Sequence, residues 1–163
     1  MPNVIATVAL ALWPLITLLI FAIRPARQAI LWSLLLGYLV LPERPAAFDF
    51  PLMPPLDKHN IPALAVLVAL LSRHGLKGPL LPTNPVALAL VLVFVVSPFF
   101  TALVNLSPVS FGNLRIQGVE LKNGISLMLG QFLLILPFFL ARQFLASGGE
   151  QRDLMRAILI AAL

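Results

Sequence analysis

The sequence contains no cysteine. Disulfide frameworks, thiolate metal sites and cysteine nucleophiles are therefore excluded. Charge is scarce as well. Only 10% of the 163 residues are Asp, Glu, Lys or Arg, against about 25% in a soluble domain. The two histidines, His59 and His74, each stand beside a Lys or an Arg rather than in a ligand-spaced set. No carboxylate lies in the middle of an apolar run, so the usual mark of a proton relay or an intramembrane ion site is missing. Glycine-rich phosphate loops, HExxH and GxSxG are missing too. The residues by themselves nominate no catalytic group, no cofactor and no metal site.

What is present is apolar. Hydrophobic residues make up 60% of the chain, and the mean hydropathy is +1.01. A water-soluble fold of this size has too little interior to hide so much apolar surface. The excess is gathered into runs at Val4–Ile23, 28–41, 61–72, Pro85–Val104 and 124–145, with a last one at 154–163. The clearest lies at Pro85–Val104. Its nineteen residues from Val86 onward carry no charge and make a helix about 28 Å long, close to the hydrocarbon thickness of a bilayer. The runs are continuously apolar rather than alternating, which favours helices over a closed barrel. The expected fold is all-α: one membrane domain over 1–163, a polytopic transmembrane helical bundle of about five spans plus the start of a sixth. The 28–41 run is short, at about 21 Å, and lengthens modestly if Ala26 and a snorkelling Arg27 join it. The 61–72 run is shorter still, at about 18 Å, and either crosses with help from its neighbours or is re-entrant. The final run stops after ten residues, which reads as the N-terminal part of a longer protein or a truncated reading frame; the plainer reading is a short interfacial C-terminal helix.

Fifteen prolines punctuate this pattern. Most lie at run ends or in connections. Pro14, Pro98 and Pro137 fall inside runs, where each removes a backbone donor and should kink its helix. Two connections stand out. Residues 42–60 read PERPAAFDFPLMPPLDKHN, polar and proline-rich, a composition that favours extended and turn backbone. Residues 105–123 read NLSPVSFGNLRIQGVELKN, which fits a short ribbon or an interfacial segment. Residues 146–153 read as a polar turn.

The net charge is +5. The basic residues are scattered between apolar runs, so the charge speaks of membrane topology and not of nucleic acid. Odd-numbered connections carry Arg24, Arg27, Arg73, Lys77, Arg142, Arg152 and Arg156. Even-numbered ones carry Arg44, Lys58, Arg115 and Lys122. The positive-inside rule then places the odd connections in the cytoplasm, and the N-terminus with 42–60 and 105–123 outside.

Three cations on the outer side are candidates for a phosphate-bearing lipid. Lys58, in the Asp57–Lys58–His59 knot after two prolines, offers a point charge. Arg115 and Lys122 offer a pair for a diphosphate headgroup. The plainer reading makes all three interface charges, with a local Asp57–Lys58 pair. Gln131 within the fifth run can bond across helices.

Two stretches carry a family resemblance. One is PPLDKHNIPALAVLVALL from Pro54. The other runs LGQFLLILPFFLARQFLASGGEQRDLMRAILIAAL from Leu129, where Pro137, Phe138 and Arg142 make a PF-x-x-x-R exit before an acidic–basic turn. Together they resemble the N-terminal half of bacterial O-antigen ligases and O-antigen or exopolysaccharide polymerases. The resemblance implies a multi-pass glycosyltransferase of the bacterial inner membrane. Its donor is a glycan on undecaprenyl diphosphate, and transfer occurs at the periplasmic face. The catalytic loop of that family lies beyond the matching stretches, so no catalytic residue is implied here and the fragment would be inactive alone. Two rivals share the composition: a transporter or permease fragment, and a small non-enzymatic membrane scaffold.

Overall fold

In the computed structural model, which describes residues 3–112 and 114–161, the chain forms six helices and one two-stranded ribbon. The helices are α1 (Val4–Ile23), α2 (Ala26–Val40), α3 (Ile61–Arg73), α4 (Pro85–Val104), α5 (Leu121–Phe144) and α6 (Gly148–Ala161). Between α4 and α5, β1 (Val109–Phe111) pairs antiparallel with β2 (Leu114–Ile116), with Ser110 opposite Arg115. This is the ribbon form of the 105–123 connection.

Local chemistry sets the helix ends. Asn3 Oδ1 accepts from Ile5 N at the start of α1, and the chain turns extended at Arg24 ahead of Pro25. Asn84 Oδ1 accepts from Val86 N and Ala87 N at the start of α4, with Pro85 in the first turn. α3 closes on Gly75, whose φ is 69° and whose N–H reaches Leu70 O at 2.7 Å. Pro14, Pro98 and Pro137 all lie within continuous helices. Pro98 deprives the Phe94 carbonyl of its usual donor. The Ser97 hydroxyl donates to that carbonyl instead, at 3.1 Å.

Among the described residues, three helices are long and apolar enough to cross a membrane: α1 and α4 with 20 residues each, and α5 with 24. α2 and α3, with 15 and 13 residues, are shorter apolar helices. Helix length therefore supports three spans, not the expected count of about five. Two boundaries also move. α5 begins at Leu121, so Lys122 lies in its first turn and not in the preceding connection; Asn123 N and Gly124 N already bond to Glu120 O. α6 begins at Gly148, so much of the 146–153 segment is helix and not a polar turn. Ser147 and Glu150 form a capping box there: Ser147 N donates to Glu150 Oε2 at 2.9 Å, and Glu150 N to Ser147 Oγ at 3.4 Å. The end of the predicted 154–163 run, Ala162 and Leu163, lies outside the described residues, as does Asn113 in the ribbon turn.

The chain clusters into two compact units. The first holds Met1–Phe48, Leu56–Leu81 and Leu133–Leu163. Here α3 packs on both α1 and α2, and α2 also packs on α6. α3 is buried along most of its length, through Ile61, Pro62, Ala63, Ala65, Val66, Ala69 and Leu70. A core joins Leu10 and Trp13 of α1 to Leu41, Ala46, Ile61 and Ala65. Farther along, the Phe21 ring lies 6.1 Å from that of His74. α1 and α3 therefore run in the same direction, and α3 starts level with Leu10 and Trp13, about two turns into α1. The space beside the first turns of α1 is taken by the 42–60 connection: Phe48 and Leu56 pack on the same core as Ala6 and Ala9. That is why α2 and α3 are short.

The second unit holds Asp49–Pro55 and Pro82–Phe132. α4 buries only Ala102, and Gly124 of α5 lets that methyl approach. Gly118 permits the backbone crossing at Leu106, where an added Cβ would collide with the carbonyl oxygen.

One close approach fixes the first unit. A Cβ added at Gly37 of α2 would lie 2.6 Å from Pro62 Cγ and 3.1 Å from Trp13 Nε1. Small residues of this kind let membrane helices meet backbone to backbone. Gly37→Ala is expected to destabilise the fold by ~1–3 kcal/mol through overpacking. Gly78→Ala, which meets open space, serves as control. Thermal unfolding in detergent checks this; equal midpoints for the two variants would contradict the packing.

Candidate functional site

The base of the 42–60 connection is a charged clasp. Phe48 and Leu56 exchange both backbone hydrogen bonds, each at 2.9 Å. Pro54 and Pro55 hold the incoming strand extended. Asp57 then starts the turn into α3: its carbonyl accepts from Asn60 N and Ile61 N, and its Oδ1 accepts from His59 N at 3.0 Å. The other oxygen, Oδ2, accepts from Arg44 Nε at 2.9 Å. Asp57 is 1% exposed, so both oxygens are satisfied where water does not reach. Glu43 completes the clasp by bonding Lys58 Nζ and accepting from His59 Nε2 at 3.1 Å.

This pairing differs from the local Asp57–Lys58 pair expected from sequence. Asp57 turns inward to Arg44, and its neighbour Lys58 reaches Glu43. The signal that was passed over is the Glu43–Arg44 dipeptide, whose order mirrors Asp57–Lys58 across the loop. Electrostatically the clasp is balanced, with Glu43 and Asp57 against Arg44 and Lys58. The hydrogen bond from Lys58, and after it that from His59, holds the Glu43 carboxyl below its ordinary value of 4.5. Lys58 therefore offers a phosphate a cation that already has a partner, and an incoming anion has to displace Glu43.

The other two nominated cations belong to the second unit. Arg115 lies on β2, exposed, and makes no ion pair among the described residues. Lys122 pairs with Glu120 at 2.7 Å, with both side chains more than half exposed, a geometry worth little in stability. Arg115 and Lys122 sit on separate elements, strand and helix. Gln131 is half-buried on α5.

A second polar cluster lies at the opposite end of the first unit, and sequence reasoning did not single it out. Arg27, His74, Lys77 and Glu150 line one cleft together with Pro25, Ala26 and Phe144. Arg27 Nη1 lies 3.6 Å from Glu150 Oε1, and Lys77 Nζ stands 4.8 Å from the Phe144 ring centre. The loop carrying Lys77 is pinned by α5. Arg142 Nη2 donates to the carbonyls of Pro79, Leu80 and Leu81 at 3.1–3.2 Å. Gln143 donates to Gly78 O and Pro79 O and accepts from Lys77 N. The only hint in the sequence was the surplus of basic residues on the odd-numbered connections. Among the described residues no group of three or more His, Cys, Asp or Glu could hold a metal ion.

The depressed carboxyl of Glu43 carries a pH consequence. A group whose pKa is lower in the folded state stabilises the fold above its unfolded pKa and loses that contribution as pH falls through the folded one. The wild-type unfolding midpoint should therefore drop as pH falls below about 4.5 more steeply than that of Glu43→Gln. Parallel pH–midpoint curves for the two proteins would show that the clasp contributes nothing.

No family model, curated protein or solved structure matches this chain.

Proposed function

We propose that the chain is a segment of the membrane domain of an O-antigen-type polysaccharide polymerase or ligase. It would be a multi-pass protein of a bacterial inner membrane that handles glycans on undecaprenyl diphosphate at the periplasmic face. The observation that carries the reading is the clasped PPLDKHN connection, folded at the charge-balanced end of a unit whose other end holds the surplus of Lys and Arg. The positive-inside rule assigns the surplus to the cytoplasm and the clasp to the periplasm. α2 and α3 then cross alongside α1, with the 42–60 connection filling the outer part of their path. Backbone that is not helical is tolerated at that depth when it is packed in protein, as Ala46, Phe48 and Leu56 are.

On this reading Lys58 exchanges Glu43 for a carrier phosphate. Arg115 and Lys122, in the second unit, are separate candidates for contact with a carrier phosphate, and Lys122 lies at the positive end of the α5 dipole. The protein's part is binding and orientation of the carrier; no residue among these is assigned to glycosyl transfer.

Deleting the gene in its source bacterium should shorten or abolish one surface polysaccharide, read on gels, and cause carrier-linked repeat units to accumulate. Complementation with Lys58→Ala, Arg115→Ala or Lys122→Ala should give shorter polymer than wild type. An unaltered polysaccharide profile and carrier pool after deletion would overturn the reading. Alkaline phosphatase fused after Leu52 should be active and after Gly78 inactive; the reverse would overturn the orientation.

A further inference from the structure

The cleft at the cationic end of the first unit has the chemistry of an anion site. Arg27 comes from the first turn of α2, His74 from the cap of α3, and Lys77 from the loop that follows. Nearly fifty residues separate Arg27 from His74 in sequence, so the fold itself brings them to one cleft, with a volume of about 480 Å³. That volume holds a phosphate with a short polar substituent.

Glu150 is the one carboxylate lining the cleft, and it is already committed. Its Oε2 accepts from Ser147 N at 2.9 Å as part of the α6 capping box. That bond, together with a second from Ser147, leads the causes that keep its carboxyl below the ordinary range; Lys77 and Arg27 contribute less. Its contact with Arg27, at 3.6 Å, is well beyond the 2.7–2.9 Å of a charge-assisted hydrogen bond. Lys77 rests against the Phe144 ring, which attracts the ammonium without neutralising it. The lining itself is positive: Arg27 and Lys77 stand in it against Glu150. Finally, Arg142 and Gln143 fix the Lys77 loop through bonds to four of its carbonyls, so little ordering is left for a ligand to impose.

We propose that this cleft binds a phosphate group, with Lys77, Arg27 and His74 as its donors. Basic pockets among helix ends on the cytoplasmic side are suited to anionic lipid headgroups, and free phosphate shares the same chemistry. The site is separate from the clasp, and its failure would leave the carrier reading untouched.

The test uses the full chain purified in neutral detergent. Native mass spectrometry measures retention of phosphatidylglycerol and of phosphatidylcholine, whose own choline offsets its phosphate. Inorganic phosphate is added as competitor. Wild type should retain phosphatidylglycerol over phosphatidylcholine. Lys77→Gln and Arg27→Gln should each weaken retention about fivefold. Glu150→Gln keeps an acceptor for Ser147 N and removes the negative charge, so it should tighten retention, a gain that misfolding cannot imitate. Arg152→Gln, outside the cleft lining, should change little. Phosphatidylglycerol retained against millimolar phosphate identifies a lipid headgroup, whereas its displacement identifies a free-phosphate site. Failure to bind either, equal retention of the two lipids, or an Arg152→Gln loss as large as that of Lys77→Gln would overturn the proposal.

Discussion

A carboxylate that water does not reach needs hydrogen-bond donors from the protein at its oxygens. Asp57 is in that position, and the first unit is arranged around meeting the demand. Arg44 supplies a charged donor from the turn near the start of the 42–60 connection, and the His59 backbone amide supplies a neutral one from the turn into α3. The same residue sets where α3 starts, because its carbonyl takes the Ile61 amide. α3 in turn carries Pro62 against Gly37 and Ile61 against the Leu10–Trp13 core. Loop closure, helix start and helix packing thus share one anchor. A buried ionic group is weak grounds for stability, since apolar replacements often do as well. Its use here is to fix register: α3 begins where the clasp closes.

The two ends of the first unit use charge in opposite ways. At the clasp, acids and bases alternate and each finds a partner of the other sign. At the cleft, bases outnumber acids, and the nearest carboxylate serves a helix cap. One end is internally satisfied, so an anion enters only by exchange. The other leaves positive potential unspent. Only the second has positive charge to attract an anion before any carboxylate is displaced.

Much of the helical framework was legible because apolar runs and their breakers act locally. Val4–Ile23 and Pro85–Val104 coincide with α1 and α4 to the residue, since Asn caps and prolines mark their ends. The start of α6 was missed although Ser147 and Glu150 spell a capping box; the two glycines between them outweighed it. The short lengths of α2 and α3 were visible, but their cause was not, because it lies in a connection folding back beside α1. The same limit applies to the polar groups. Lys58 stood out by its neighbours, yet its partner Glu43 is fifteen residues away. Arg27, His74 and Lys77 gave no local motif at all, since only the meeting of helix ends makes them neighbours.

The unequal helices have a consequence for the surrounding lipid. α1 is about 30 Å long, and α3 beside it about 20 Å. The difference is made up by proline-rich backbone bearing ionised groups. A bilayer around this face meets a full-length apolar wall on one side and a much shorter one on the other. Such hydrophobic mismatch is relieved by local thinning or by tilt, at a fraction of a kcal/mol per Å. Confined to one leaflet, that thinning would let polar headgroups and water settle deeper beside the clasp than elsewhere on the membrane. On the proposed function, a long-chain lipid carrier arriving there would have a shorter climb between the acyl region and the aqueous surface.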